Sequence, residues 1–141
     1  MSESMPARGI VLAHGTLAQG LLDAVRRITG VEGALVAVSN EGLAPEALVR
    51  EIERHIGGAT TILFTDLPSG SCSFAARRLC RDRPELTVIS GVNLPLLLDF
   101  VMHRQLPPEE LIPRLLDKGR AGIDCPSGAL EGHGHRAVPG R

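Results

Sequence analysis

The chain has 141 residues, a formal net charge of −1 and 43% apolar residues, but only three Phe and no Trp or Tyr. This length suits a single domain whose core must be built from Leu, Val, Ile and Ala. Because charges of both signs are interspersed and aromatic platforms for base stacking are lacking, we expect no nucleic-acid partner.

The sequence also indicates a compartment. No apolar run approaches the roughly 18 residues that a membrane span needs, and the first eight residues lack the apolar core of a signal peptide. Cys72, Cys80 and Cys125 are odd in number and show no CxxC spacing. We therefore expect reduced thiols in a cytoplasmic protein that needs no metal and no cofactor.

Apolar runs that predict strands alternate with amphipathic runs that predict helices. The strands are predicted at Ile10–Ala13, Ala34–Val38, Thr60–Thr65 and Leu86–Ser90. The helices are predicted at Leu17–Thr29, Pro45–Ile56, Ser71–Arg81, Leu94–Arg104 and Pro108–Gly119. Because short links join them, this order predicts an α/β fold with a doubly wound, mainly parallel sheet of four or five strands and helices on both faces.

Composition divides the chain into three segments. Residues 1–8 are predicted to be an N-terminal extension, residues 9–130 one domain, and residues 131–141 a flexible tail. For His133 and His135 in that tail we expect no more than adventitious metal binding. His55 and His103 lie near predicted helix C-termini and are expected to be structural.

Polar residues follow the predicted strands. His14 ends the first strand, and Asp66 ends the third, ahead of the turn that contains Ser69, Gly70 and Ser71. Because the carboxyl ends of parallel strands meet at one edge of the sheet, we expect these groups to lie close together. Such an edge, with a helix beginning beside it, is where α/β proteins bind phosphate.

The chemistry that these residues suit is phosphoryl transfer through histidine. A neutral imidazole is nucleophilic at one nitrogen only when the other nitrogen holds the proton. A carboxylate that accepts this N–H fixes the tautomer and stabilises the positive charge that develops on the ring. We predict that Asp66 does this for His14, and that Ser69, Gly70 and Ser71 donate hydrogen bonds to the phosphate.

Three segments of the chain occur together in a known family. They are Ala13–Leu21, Thr65–Ser71 with the following Phe74-Ala75-Ala76, and Gly91–Leu98. Their order and spacing, between about Gly9 and Gly122, resemble the enzyme IIA domain of the mannose-type bacterial phosphoenolpyruvate-dependent sugar phosphotransferase system.

The resemblance implies a phosphocarrier. His14 would accept a phosphoryl group from the phosphocarrier protein HPr and pass it to an enzyme IIB, which serves a membrane sugar permease complex. By the same resemblance Asp66 orients the ring, and Gly15 and Ser71 are among the phosphate contacts. Family members are usually homodimers that can exchange a C-terminal strand. The matching segment here is near Ile123–Leu130.

The sequence departs from the family at two places. The exchanged segment contains Pro126 and Gly128, which disfavour a regular strand. The family turn has two glycines followed by Ser-Pro, whereas this chain reads Ser69-Gly70-Ser71-Cys72. Ser69 therefore replaces a residue with freer backbone angles, which predicts a different local turn.

Other interpretations of these residues stay open. One alternative is a regulatory module whose phosphorylation controls a protein partner. A hydrolase using Cys72, His14 and Asp66 is a further alternative, because a thiol at a helix start is expected to have a depressed pKa. Asp66 could instead cap its turn, and Asn93 is expected to be structural rather than a phosphate ligand.

Overall fold

The computed structural model describes residues 5–127, which alternate strands and helices as the sequence predicts. The strands are β1 (Arg8–Ala13), β2 (Leu35–Ser39), β3 (Thr61–Thr65) and β4 (Thr87–Ser90). The helices are α1 (Leu17–Thr29), α2 (Pro45–Glu53), α3 (Ser71–Asp82), α4 (Leu94–Met102) and α5 (Pro108–Ala121). The predicted fold class is confirmed, and the largest boundary difference is that α2 ends at Glu53 rather than Ile56.

The four strands of the described residues form one parallel sheet in the order β2-β1-β3-β4. Leu12 of β1 pairs with Val38 of β2 and with Thr65 of β3, and Thr65 pairs in turn with Ser90 of β4. This register brings the carboxyl ends of all four strands to the same edge. The loops that carry His14 and Asp66 therefore leave the sheet side by side.

The two faces of the sheet are covered by different helices because side chains alternate along each strand. Val11 and Ala13 pack with residues of α1, α4 and α5, whereas Ile10 and Leu12 pack with residues of α2 and α3. These four side chains of β1 are at most 1% exposed. Burying each large aliphatic side chain contributes about 1.5–3 kcal/mol, so the central strand anchors both halves of the core.

The helices α4 and α5 are joined by polar contacts as well as by packing. The carboxylate of Asp99 accepts hydrogen bonds from Nε and Nη2 of Arg114 at 2.8 and 3.1 Å. Asn93 caps α4 by accepting from the Leu96 N–H at 3.1 Å, and its amide donates to the Gly119 carbonyl at 2.9 Å. The structural role predicted for Asn93 is therefore confirmed.

The C-terminal segment forms no strand in the part of it that is described, as the presence of Pro126 leads one to expect. Residues 123–127 contain no strand, and residues 128–130 lie outside the described residues, as does the segment with His133 and His135. Pro126 has no N–H to donate to a strand neighbour, which accounts for the lack of pairing at that position. No helix in the described range 5–127 has the length and apolar character that crossing a bilayer requires.

Gly9 permits the close packing of β1, and its replacement tests that packing. A Cβ atom at Gly9 would lie 2.6 Å from Cε2 of Phe64 and 2.7 Å from Cδ2 of Leu35. Phe64 is fully buried and cannot move aside, so we expect Gly9→Ala to lower the free energy of unfolding by about 1–3 kcal/mol in urea denaturation.

A matched glycine provides the control. Gly20 lies within α1, and a Cβ atom added there would have no neighbour within 4 Å. We expect Gly20→Ala to raise the free energy of unfolding by about 1 kcal/mol, because alanine favours a helix interior over glycine. Equal stabilities of Gly9→Ala and the parent protein would contradict the tight packing at β1.

Candidate functional site

His14 and Asp66 meet at the carboxyl edge of the sheet through two contacts. The backbone N–H of His14 donates to Oδ2 of Asp66 at 3.0 Å. The ring atom Nδ1 of His14 lies 3.0 Å from Oδ2 and 3.3 Å from Oδ1 of the same carboxylate. The first contact fixes the loop after β1 to the loop after β3, and the second fixes the orientation of the ring.

This arrangement determines the tautomer of His14. An ionised carboxylate can only accept hydrogen bonds, so Nδ1 carries the proton and Nε2 keeps its lone pair. Asp66 has a side chain only 10% exposed, whereas the His14 side chain is 42% exposed. The carboxylate is thus shielded behind a ring whose far side is open to an approaching group.

The charge of Asp66 is maintained by its partner. Burial acts to raise the pKa of Asp66, but the hydrogen bonds from the His14 backbone N–H and ring, with the attraction of the ring, outweigh burial and hold the pKa below its ordinary value. Asp66 therefore remains ionised throughout the neutral range. An ionised carboxylate can accept the Nδ1–H of the neutral ring.

Gly70 lies on the open side of the ring, at the start of α3. A Cβ atom at Gly70 would lie 3.5 Å from both Cε1 and Nε2 of His14. Gly70 has φ +95° and ψ −175°, a backbone conformation that is essentially restricted to glycine. The amino terminus of α3 begins one residue later, and its first N–H groups have no side-chain cap from the described residues.

The turn before α3 is held by its own side chains. Thr65 Oγ1 donates to the Leu67 carbonyl at 2.8 Å, and Ser73 Oγ donates to the Pro68 carbonyl at 3.0 Å. Nε of Arg77 donates to the same Ser73 hydroxyl at 3.0 Å. These bonds fix the path of the chain from Asp66 to α3.

The remaining predicted phosphate contacts have distinct positions around His14. Gly15 follows it with φ +58°, and its carbonyl accepts from the Ser39 hydroxyl at 2.8 Å. Ser69 is exposed in the turn, and Ser71 opens α3. The Ser71 hydroxyl accepts a hydrogen bond from the amide of Asn40 at 3.0 Å.

Sequence reasoning missed Asn40 and Ser39. Ser39 ends β2 and Asn40 follows it, and both reach the residues around His14 from that side of the sheet. The rule that located Asp66 also applies to them, because β2 is parallel to β1 and ends at the same edge. The missed signal was therefore the pair of polar residues at the carboxyl end of β2.

Cys72 lies close to His14 and Asp66. The depressed pKa that the sequence predicted for its thiol is wrong. Burial first, and then the negative charge of Asp66, raise the pKa of the Cys72 thiol to about 11. Cys72 is only 1% exposed, and it packs with the apolar residues between α3 and the sheet. The expected effect of the helix start is outweighed by desolvation, so the site does not supply the thiolate that the hydrolase alternative requires.

Residues 9–112 match the family model EIIA-man, described as the fructose IIA component of the phosphotransferase system. The chain belongs to this family. The match includes both His14 and Asp66 and confirms the resemblance drawn from the three sequence segments. Membership of the EIIA-man family supports a role in the sugar phosphotransferase system.

Curated relatives agree with this assignment. The chain is 35% identical over 97 residues to the sorbose-specific EIIA component of Klebsiella pneumoniae, covering 65% of this chain and 70% of that protein. It is 29% identical over 123 residues to the mannose-specific EIIAB component of Escherichia coli (strain K12), covering 81% of this chain. The aligned region spans only 38% of the length of the E. coli protein.

Solved structures share the fold. The phosphotransferase system component EIIA from Streptococcus agalactiae superimposes with a TM-score of 0.78 at 22% identity, over 84% of this chain and 96% of that one. The mannose/sorbose specific IIA subunit from Enterococcus faecalis gives a TM-score of 0.72 at 24% identity, over 86% and 95% of the two chains. The sheet and helices of this EIIA-man chain therefore follow the architecture of those proteins.

The environments of the cysteines predict different reactivities. Cys125 is exposed, and hydrogen bonds with Ser127 lower the pKa of its thiol. We expect iodoacetamide at mildly alkaline pH to alkylate Cys125 first and to leave Cys72 unmodified in the folded protein, because the thiolate is the reactive form. Peptide mass mapping of a time course measures the order.

Unfolding the protein provides the control for that experiment. In urea, Cys72 should react at a rate similar to that of Cys125, since both thiols are then solvated. Rapid alkylation of Cys72 in the folded state would contradict the buried, protonated thiol and would restore the hydrolase alternative.

Proposed function

We propose that this chain is a cytoplasmic phosphohistidine carrier, which accepts a phosphoryl group on Nε2 of His14 from phospho-HPr and passes it to an enzyme IIB that serves a membrane sugar permease. The observation that carries this proposal is the difference between the surroundings of the two ring nitrogens of His14. Nδ1 is bonded to the Asp66 carboxylate at 3.0 Å, while Nε2 lies beside Gly70, the residue that precedes α3. Residues 9–130 are the proposed carrier domain, and the homodimer remains a prediction.

The proposed transfer follows from this difference. The Nε2 lone pair of His14 attacks phosphorus, the new N–P bond forms, and the bond to the donor nitrogen breaks and returns its electron pair to the donor. No proton has to leave His14 for the bond to form, because the proton is already on Nδ1. The positive charge that the ring acquires is balanced by the ionised Asp66.

The surroundings of Nε2 suit a phosphoryl group. Because Gly70 has no side chain, it leaves space at the ring and brings backbone close to the transferred group. The first-turn N–H groups of α3 and the Ser71 hydroxyl are proposed donors to the phosphoryl oxygens, with Gly15 and Ser69 on the adjoining loops. Fixed donors of this kind stabilise the negative charge of the group in transit.

Exposed apolar side chains next to these loops support a protein as the phosphoryl donor. Leu17 begins α1, and its N–H bonds to the His14 carbonyl at 3.2 Å. Leu67 follows Asp66, and Phe74 lies in the first turn of α3, where its N–H bonds to the Gly70 carbonyl at 2.9 Å. All three side chains are exposed. We propose that they form the contact for the partner protein, because exposed apolar patches mark protein interaction sites.

Replacing the two residues of the pair tests the carrier chemistry. After incubation with phosphoenolpyruvate, enzyme I and HPr, intact mass at neutral pH should show one added phosphoryl group on the parent protein and none on His14→Ala. Asp66→Asn should slow the reaction by about 10- to 100-fold, because a hydrogen bond to a charged group contributes about 1.5–3 kcal/mol. Subsequent transfer to an enzyme IIB separates the carrier from a purely regulatory module.

Asp82, the exposed last residue of α3, is a matched control. Asp82→Asn removes the same charge from the chain without touching His14 and should leave the phosphorylation rate unchanged. Thermal unfolding of each variant establishes that it is folded. Phosphorylation of His14→Ala, or an Asp66→Asn rate equal to that of the parent, would contradict the proposed roles.

The partner contact predicts a change in KM rather than in maximal rate. Phe74 is 55% exposed and Met102, at the end of α4, is 61% exposed. We expect Phe74→Ala to raise the KM for phospho-HPr by about fivefold or more, since losing an interface anchor costs more than about 1 kcal/mol. Met102→Ala removes a similarly exposed side chain from another surface and should change nothing. Equal KM values for the two variants would remove Phe74 from the contact.

A further inference from the structure

We propose that His14, Asp66 and Cys72 form a binding site for a thiophilic divalent cation such as Zn²⁺, and that the bound cation blocks phosphorylation of His14. Each residue contributes one donor atom, and these atoms lie within 4.8 Å of one another. The blocking effect rests on the proposed carrier function, whereas the cation site itself does not.

The donor atoms match zinc. Cysteine sulfur, histidine nitrogen and carboxylate oxygen are its usual protein ligands, and three such ligands leave a fourth coordination position for water. Tetrahedral zinc, with bonds of about 2.0–2.3 Å, places its ligands about 3.5 Å apart. His14 Nδ1 and Asp66 Oδ2 are already 3.0 Å apart, so only a donor separation near the 4.8 Å limit has to shorten, by about 1 Å. The thiolate disfavours Mg²⁺ and Ca²⁺, which prefer oxygen ligands.

The three ligands differ in their exposure to solvent. The side chain of Asp66 is 10% exposed and Cys72 is 1% exposed, whereas the His14 side chain is 42% exposed. We infer that a cation enters from the solvent side of His14 and that the ring moves to admit it to Cys72, which is only 1% exposed. On binding, the thiol proton of Cys72 passes to solvent and the thiolate takes its place in the coordination sphere.

Coordination at either ring nitrogen prevents phosphorylation. If the cation binds Nε2, the acceptor lone pair of His14 is occupied. If it binds Nδ1, the ring proton moves to Nε2 and removes that lone pair. A phosphoryl group on His14 and a cation on the same ring therefore exclude each other, and each weakens binding of the other by the same free energy.

Cys72 differs from the other two cysteines in having potential metal ligands beside it. Cys80 lies further along α3, and Cys125 is exposed beyond α5. Neither belongs to a group of three potential metal ligands among the residues that the structure describes. The inference is therefore specific to Cys72.

The direct test uses Co²⁺ as a spectroscopic substitute for Zn²⁺. The full chain carries Cys80→Ala, Cys125→Ala, His133→Ala and His135→Ala, so that other thiols and the tail histidines do not bind the ion. This four-fold variant is the background protein for all the comparisons that follow. We expect a thiolate-to-cobalt charge-transfer band that saturates at one equivalent and is displaced by Zn²⁺. Adding Cys72→Ala should abolish the band and weaken Zn²⁺ binding by more than about tenfold.

Two comparisons keep this test decisive. Cys72→Ser retains the size of the side chain if Cys72→Ala does not fold, and it should lose the band equally. His14→Ala should also weaken Zn²⁺ binding, which separates the three-ligand site from adventitious binding at the thiol alone. The proposed site would be overturned if the background protein showed no cobalt band. It would also be overturned if replacing Cys72 left the affinity for Zn²⁺ unchanged.

The blocking effect is tested by phosphorylation in buffered free Zn²⁺. The background protein should lose phosphorylation at concentrations that leave Cys72→Ala fully active. Activity of Cys72→Ala in the same mixture shows that enzyme I and HPr still function, and Mg²⁺ should not inhibit either variant. Equal inhibition of both variants, or of neither, would overturn the block. Failure of the background protein to be phosphorylated without Zn²⁺ would overturn the carrier function, while the cobalt band would still decide the site.

Discussion

The contact between the Asp66 carboxylate and His14 is the interaction on which the rest of the site depends. One carboxylate accepts from both the backbone N–H and the ring Nδ1 of His14. It thereby joins the loops of two adjacent strands and selects the nitrogen that stays nucleophilic. Because the same hydrogen bonds keep Asp66 ionised, the orientation of the ring and the charge that supports it depend on each other.

The sheet makes this contact possible. β1 and β3 are neighbours in a parallel sheet, and their side chains are almost completely buried on both faces. A rigid pair of strands holds the two loops at a constant separation, so the histidine needs little support from flexible residues. The residues at the carboxyl edge depart from the usual backbone and burial preferences. Gly70 has a backbone conformation unsuited to other residues, and the apolar side chains of Phe74 and Leu67 are exposed. Local departures of this kind are typical of functional sites.

Much of this arrangement could be predicted from the sequence, because it depends on periodicity and on strand order. Apolar runs located the four described strands, and the rule that parallel strands end at one edge brought His14 next to Asp66. The environment of Cys72 could not be obtained in this way. It depends on how α3 is rotated against the sheet, which turns Cys72 into the core and leaves Phe74 exposed. The local signal of a helix start gave the wrong direction for the pKa of Cys72, because burial and the neighbouring carboxylate of Asp66 raise it.

The same carboxylate has opposite effects on its two neighbours. Asp66 supports the nucleophilic tautomer of His14, and its negative charge helps to keep the thiol of Cys72 protonated. The thiol of Cys72 is therefore protonated at neutral pH, even though its sulfur lies within 4.8 Å of the other two donor atoms. A multiply charged cation reverses this situation, because it replaces the proton on sulfur and is attracted by the carboxylate that had disfavoured the thiolate. A residue with no role in the proposed phosphoryl transfer is thus the one that would make that transfer sensitive to a metal ion.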